Sequence, residues 1–256
     1  MSDFDRNYAS LRGVGTDRAV AYDVGLRAHM IRVYNYMAGG VALTGLVAWF
    51  TYQASVVTNA SGTIVSLTPF GQTLFESPLK WVLMLAPLGL VFFMSFRINH
   101  MQASTAKLLF FVYAGVMGMS LAIIFMLYTQ TSITRVFFIS AATFGALSLY
   151  GYTTQRSLDG MGSFLIMGLF GLIIASLVNI FLGSSMLQFV VSVVGVGIFA
   201  GLTAWDTQRL KNDYIYGYAS AGGDIAERAA ITGALSLYLN FINLFTLLLQ
   251  LLGQRD

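Results

Sequence analysis

The chain is short of charge. Only 10% of its 256 residues are Asp, Glu, Lys or Arg, while 57% are hydrophobic. Soluble domains carry about 25% charged residues. A globule of this size with so little charge cannot coat itself with water-compatible surface, so the composition specifies an integral membrane protein. Cysteine is absent. That excludes disulfides, thiolate metal sites and cysteine nucleophiles. Histidine occurs twice, as His29 and His100, both near the ends of apolar runs. No HExxH pair exists for a zinc protease, and no histidine lies deep enough to serve an intramembrane serine protease. The last apolar run has no lysine for retinal. The sequence therefore points away from an enzyme, and no cofactor or metal is expected.

Long apolar runs are what the chain has instead. A membrane-spanning helix needs about 20 mostly apolar residues. Seven stretches qualify, near Val33–Ala54, Leu79–Phe96, Lys107–Tyr128, Thr134–Tyr152, Ser163–Leu182, Leu187–Trp205 and Ile231–Leu252. The runs are continuous rather than alternating, which argues against a transmembrane barrel. The expected fold is an all-α bundle of seven transmembrane helices. It divides into a charged N-terminal segment, residues 1–32, and a membrane domain, residues 33–256. Pro78 suits the first turn of the second helix, and Pro87 is expected to kink it.

The basic residues set the orientation. Arg6, Arg12, Arg18, Arg27, Arg32, Arg97, Lys107, Arg156, Arg209, Lys211 and Arg228 fall on one side of this topology; Lys80, Arg135 and Arg255 fall on the other. The N-terminus is therefore expected in the cytoplasm. The net charge of +3 reflects these membrane ends rather than a nucleic-acid surface. The apolar core of a signal peptide would lie nearer the start, so no cleaved signal is expected. Asn59-Ala60-Ser61 is a glycosylation sequon, a triplet common by chance.

Two features mark a candidate site. Asp206, in "GLTAWDTQRLKNDY", closes the sixth run. A carboxylate there needs a partner, with Arg209 at i+3 and Arg97 at similar depth as the candidates. In the seventh run, Thr232, Ser236, Asn240 and Asn243 recur at spacings of four, four and three, on one helical face. In lipid such a polar stripe turns inward, to bond other helices or to line a watery path. Gly197 and Gly201 form a small-xxx-small pair for close helix packing.

"LSLYLNFINLF" in the last run and "WDTQ" at the end of the sixth resemble the Bax inhibitor-1 (YccA-like) family of membrane proteins. "LRAHMIRVYNYMAGGVALTG", "SPLKWVLMLAPLGLVFF" and "FRINHMQASTAKLLFFVYAGVMGMSL" support it, so the resemblance runs from about Leu26 to Gly253. It implies a seven-helix fold with the last helix central and six around it. It also implies a calcium leak across a bacterial inner membrane, a role in stress protection and, in some bacterial members, association with a membrane-bound protease. The family's gate is a pair of aspartates on the sixth and seventh spans that share a proton, with a basic residue from the second. By position the first is Asp206 and the basic residue Arg97. The second falls on Asn240, a departure. An amide cannot share a proton with a carboxylate, so the proton switch is expected to be absent or weak. Ser236 and Asn243 complete the expected ion path.

Overall fold

A computed structural model describes residues 3–59, 64–218 and 223–255, with side chains from residue 24 onward except those of Asn99 and Tyr218. Arg6, Arg12 and Arg18 lie outside the described side chains, and the sequon lies partly outside the described residues. Helix α1, Asp3–Ser55, is followed by a two-stranded antiparallel hairpin, β1 Val56–Thr58 and β2 Ile64–Leu67. Then come α2 Pro69–Phe75, α3 Leu79–Arg97, α4 Ala103–Leu121 with a short continuation α5 Ile124–Leu127, α6 Gln130–Thr153, α7 Asp159–Leu182, α8 Ser185–Asp213 and α9 Gly223–Leu252.

Among the described residues six helices are long and apolar enough to cross a membrane: α3, α4 with α5, α6, α7, α8 with the turn after it, and α9. The first expected run, Val33–Ala54, lies within α1, which passes through residue 32 without a break, so the seven expected spans are not matched by seven such helices. The charged segment and the first apolar run are thus one helix.

Helix ends follow local chemistry. Thr68, Thr129 and Ser184 cap α2, α6 and α8 by accepting from the backbone N–H three residues on. Gly183 ends α7 in the left-handed conformation, at φ 60°, where a Cβ would be strained. The Ser77 hydroxyl accepts from the Leu79 N–H at the start of α3, and α3 continues through Pro87. Beyond Asp213, α8 loosens into a π-helical turn, Tyr214–Tyr218.

Helix α9 is central. It packs against α1, α4, α6 and α8, and Leu237, Tyr238 and Leu244 on it are fully buried. The expected ring of six is a ring of four: α3 packs on α4 and α7 on α8, farther from the axis. Tyr238 shows how α9 is tied in. Thr44 on α1 donates its hydrogen to the Ala114 carbonyl of α4 at 2.8 Å, so the Tyr238 hydroxyl is the donor to Thr44 at 2.7 Å. Phe110 and Tyr113 pack edge-on to the Tyr238 ring.

The bundle has two chemically distinct ends. Residues near Met101, Arg156 and Arg228 gather at one, where Arg228 donates to the Met101 carbonyl and Gln208 to the Arg156 carbonyl. The chain end closes the other: Thr129 N–H donates to the Gln254 carbonyl at 3.1 Å, and Gln254 N–H to the Ser132 hydroxyl at 3.0 Å. Helix α9 runs from the first end to the second without interruption.

Candidate functional site at Asp206

Asp206 does not close its helix. Helix α8 continues to Asp213, so Asp206 lies about two turns before the end and clear of the terminal dipole. It faces α9 and is 4% exposed. Its Oδ2 accepts from Asn240 Nδ2 at 2.7 Å and from the Ser236 hydroxyl at 2.9 Å. The i, i+4 spacing of Ser236 and Asn240 puts both donors on one face of α9.

Arg209, one turn along α8, brings Nη2 to 2.7 Å from Asp206 Oδ1. This is an ion pair by distance but not an aligned hydrogen bond, and Oδ1 is left without a directed donor. The guanidinium also lies over the Trp205 ring, 4.6 Å from its centroid, with Nη2 3.5 Å from the Ser236 oxygen. Arg209 is thus held between a carboxylate and an aromatic face. On its outer side it lines a polar cavity of about 230 Å³ with His29, Asp213, Arg228 and Thr232. Asp206 therefore sits directly behind an arginine at the basic end.

The other expected site residues lie elsewhere. Arg97 is exposed at the end of α3, and the ion pair on Asp206 is made by Arg209 instead. The reason is the packing: α3 lies against α4, outside the α8–α9 contact. Asn243 turns back on its own helix, donating to the Leu239 carbonyl at 2.8 Å. Thr232 is exposed and bonds the Arg228 carbonyl. Gly201 is at a close crossing, where an added Cβ would press into Leu165 of α7, but Gly197 faces open space. The tighter α6–α8 crossing is at Gly151, where a Cβ would fall on the Ala204 carbonyl.

A second polar chain starts beside the site. Thr207 donates to the Thr203 carbonyl at 2.8 Å. Ser148 on α6 must then donate to Thr207, at 2.9 Å, and Tyr34 on α1 to Ser148, at 2.6 Å. Gln208, 5% exposed, accepts from Leu158 N–H at 2.7 Å while donating to the Arg156 carbonyl. It thereby holds the α6–α7 turn. Arg32 of α1 pairs with Glu227 of α9 at 2.7 Å, and Tyr36 donates to the same carboxylate. Single hydroxyls and amides at helical spacing carry no signal of which helix they will meet, and sequence periodicity alone did not single these out.

Residues 26–256 match the family model described as Inhibitor of apoptosis-promoting Bax1. The chain is 45% identical over 240 residues to an uncharacterized protein of Rickettsia prowazekii, covering 94% of this chain and 95% of that one. It is 43% identical to an uncharacterized protein of Caulobacter vibrioides, over 99% and 98% of the two chains. It is 40% identical to the inner membrane protein YbhL of Escherichia coli, over 94% and 97%. A match across nine-tenths of the chain, on a helical bundle built around α9, is a match of the whole domain. The chain belongs to the Bax inhibitor-1 family of multi-pass membrane proteins.

Proposed function

We propose that this protein is a cation leak pathway of the bacterial inner membrane, with calcium as the ion, closed at Asp206 in the conformation described. The observation that carries the reading is the buried Asp206 carboxylate, whose Oδ1 has a cation, Arg209, in contact but no directed hydrogen bond. Ionisable groups within apolar helices are costly and mark ion paths. Calcium takes oxygen ligands. Asp206, the Asn240 side-chain carbonyl and the Ser236 hydroxyl offer such oxygens once Arg209 swings into its polar cavity. Among the described residues no group of three or more His, Cys, Asp or Glu side chains converges. A sparse ligand set suits conduction, which requires an ion to leave as readily as it enters. The basic end, with Arg209 and Arg228, faces the cytoplasm in this reading, and the N-terminal part of α1 lies on that side.

The test is calcium flux into proteoliposomes of pure protein. Asp206→Asn is expected to slow the flux and Arg209→Gln to speed it. Flux from all three proteins equal to that of protein-free vesicles would sink the reading.

The rival is a non-conducting regulator that associates with a membrane-bound protease or another membrane protein. The observation in its favour is α7, which packs on α8 and leaves Phe164, Met167 and Phe170 exposed, an apolar face able to meet another helix. The charged N-terminal segment is the natural handle for such a partner. Leu26, His29 and Met30 are buried in the bundle, so a deletion that separates the readings must stop at residue 23. A leak survives that deletion, whereas a regulator acting through the segment loses its effect.

A further inference from the structure

Helices α1 and α6 diverge on one flank of the bundle and leave a cavity of about 840 Å³ between them. Its floor is Phe241 of the central helix, with Met37 and Phe144 beside it, all three buried. Its rim includes Ala38 and Gly145, which are exposed, so the cavity opens sideways, toward the bilayer. Along α1 it runs from Arg27 to Ala42. Fifteen steps of 1.5 Å span about 22 Å, about three-quarters of a hydrocarbon core about 30 Å thick.

The lining is apolar except at the basic end. Among the described residues Arg27 is the one charged residue lining it there, and no acidic group among them pairs with Arg27. Lys211 stands close by, donating to the carbonyl of Tyr152 at the cavity's edge, 2.8 Å away, with its ammonium 5.8 Å from the Tyr152 ring centroid. Just inside, the hydroxyls of Tyr34 and Ser148 are bonded to each other and onward to Thr207. They therefore wall the cavity off from α8 and need no ligand of their own. The order is that of a membrane lipid: cationic at the headgroup level, apolar toward the bilayer centre.

We propose that this groove binds an anionic phospholipid from the leaflet at the basic end, with one acyl chain lying between α1 and α6 and the phosphate on Arg27. Each seated methylene contributes through burial, and basic pockets between transmembrane helices on this side hold anionic headgroups. The headgroup supplies Arg27 with a counter-charge that none of the described residues gives it. The lipid also lies against Ser148, one hydrogen bond from Thr207, the neighbour of Asp206.

Native mass spectrometry of the full-length protein, mixed with phosphatidylglycerol or phosphatidylcholine of identical chains, tests the idea. The wild type is expected to retain phosphatidylglycerol roughly fivefold better, as one arginine near the surface provides. Arg27→Gln should remove that preference. Gly145→Leu and Ala38→Phe place bulk in the groove, since a Cβ on Gly145 meets open space; both should lower retention of either lipid. Gly197→Leu, on the lipid-facing side of α8, should change nothing. Equal retention of the two lipids by the wild type would overturn the proposal. So would undiminished retention in the groove-filling variants at unchanged melting temperature, or a protein dimer in place of bound lipid.

Discussion

Asn240 donates its side-chain N–H to Asp206 across the α8–α9 contact at 2.7 Å, in the position where the sequence resemblance implies a second carboxylate. The amide satisfies one lone pair of the acid and offers no proton to share.

Placing an acid at residue 240 should create the switch. Two carboxylates in hydrogen-bonding contact cannot both ionise cheaply, so the pair takes up a proton that neither would hold alone. Calcium flux of Asn240→Asp in proteoliposomes is expected to change several-fold between pH 6 and pH 8, with the wild type much flatter. A steep wild type, unaltered by the substitution, would refute this account.

Arg209 is the cation on Asp206. Removing one partner of a buried ion pair costs about 3–5 kcal/mol, but the Arg209 side chain is 38% exposed, and water screens the pair. Arg209→Ala is therefore expected to cost roughly 1–3 kcal/mol. Arg97→Ala, at an exposed position, should leave thermal unfolding in detergent unchanged.

The glycines separate by their surroundings. At Gly151 the α8 backbone occupies the place of a Cβ, whereas Gly197 has open space. Gly151→Ala should destabilise the bundle by about 1–3 kcal/mol, the usual cost of overpacking, and Gly197→Ala should be silent. Melting curves of the two variants in the same detergent decide it.

Gln208 satisfies the buried Leu158 N–H. Gln208→Ala leaves that donor bare, at a cost of about 1–3 kcal/mol. Hydrogen exchange at the start of α7 is the direct readout; protection there equal to wild type would contradict the role.

His29 supplies a pH dependence of stability. It is buried, stacks on Tyr214 at 4.9 Å, and shares a cavity with Arg209, Asp213 and Arg228. Burial, then the Arg32 charge, lowers its pKa from 6.5, against an opposing pull from Glu227. The unfolded chain therefore binds the proton first as pH falls through about 6.5, and stability drops below that pH. His29→Gln should lose less stability than the wild type between pH 7.5 and pH 5.5.

The polar stripe on α9 shows how far the sequence could be read. Ser236 and Asn240 meet Asp206, as an inward-turned face requires. Thr232 and Asn243 sit on the same side of the helix, yet one is exposed and the other bonds its own backbone. Period alone cannot tell which part of a stripe lies opposite another helix. Arg97 failed as a partner for the same reason: equal depth is a coordinate along the membrane normal, and it leaves lateral distance open. The hairpin and α2 lie between the first and second apolar runs, where the sequence shows no apolar period. Their backbone bonds, such as Thr68 N–H to the Ser55 carbonyl at 3.0 Å, leave no hydrophobic period.

By itself the sequence determined the class, the apolar runs and the sorting of basic residues to one end. Those follow from the cost of burying charge and unpaired backbone in hydrocarbon, which acts on each segment separately. The tertiary structure alone decided that Arg209 rather than Arg97 holds Asp206, that four helices rather than six touch α9, and that α1 and α6 part to leave a groove. These depend on which side chains interdigitate where helices cross, a property of pairs of segments that neither segment's composition contains.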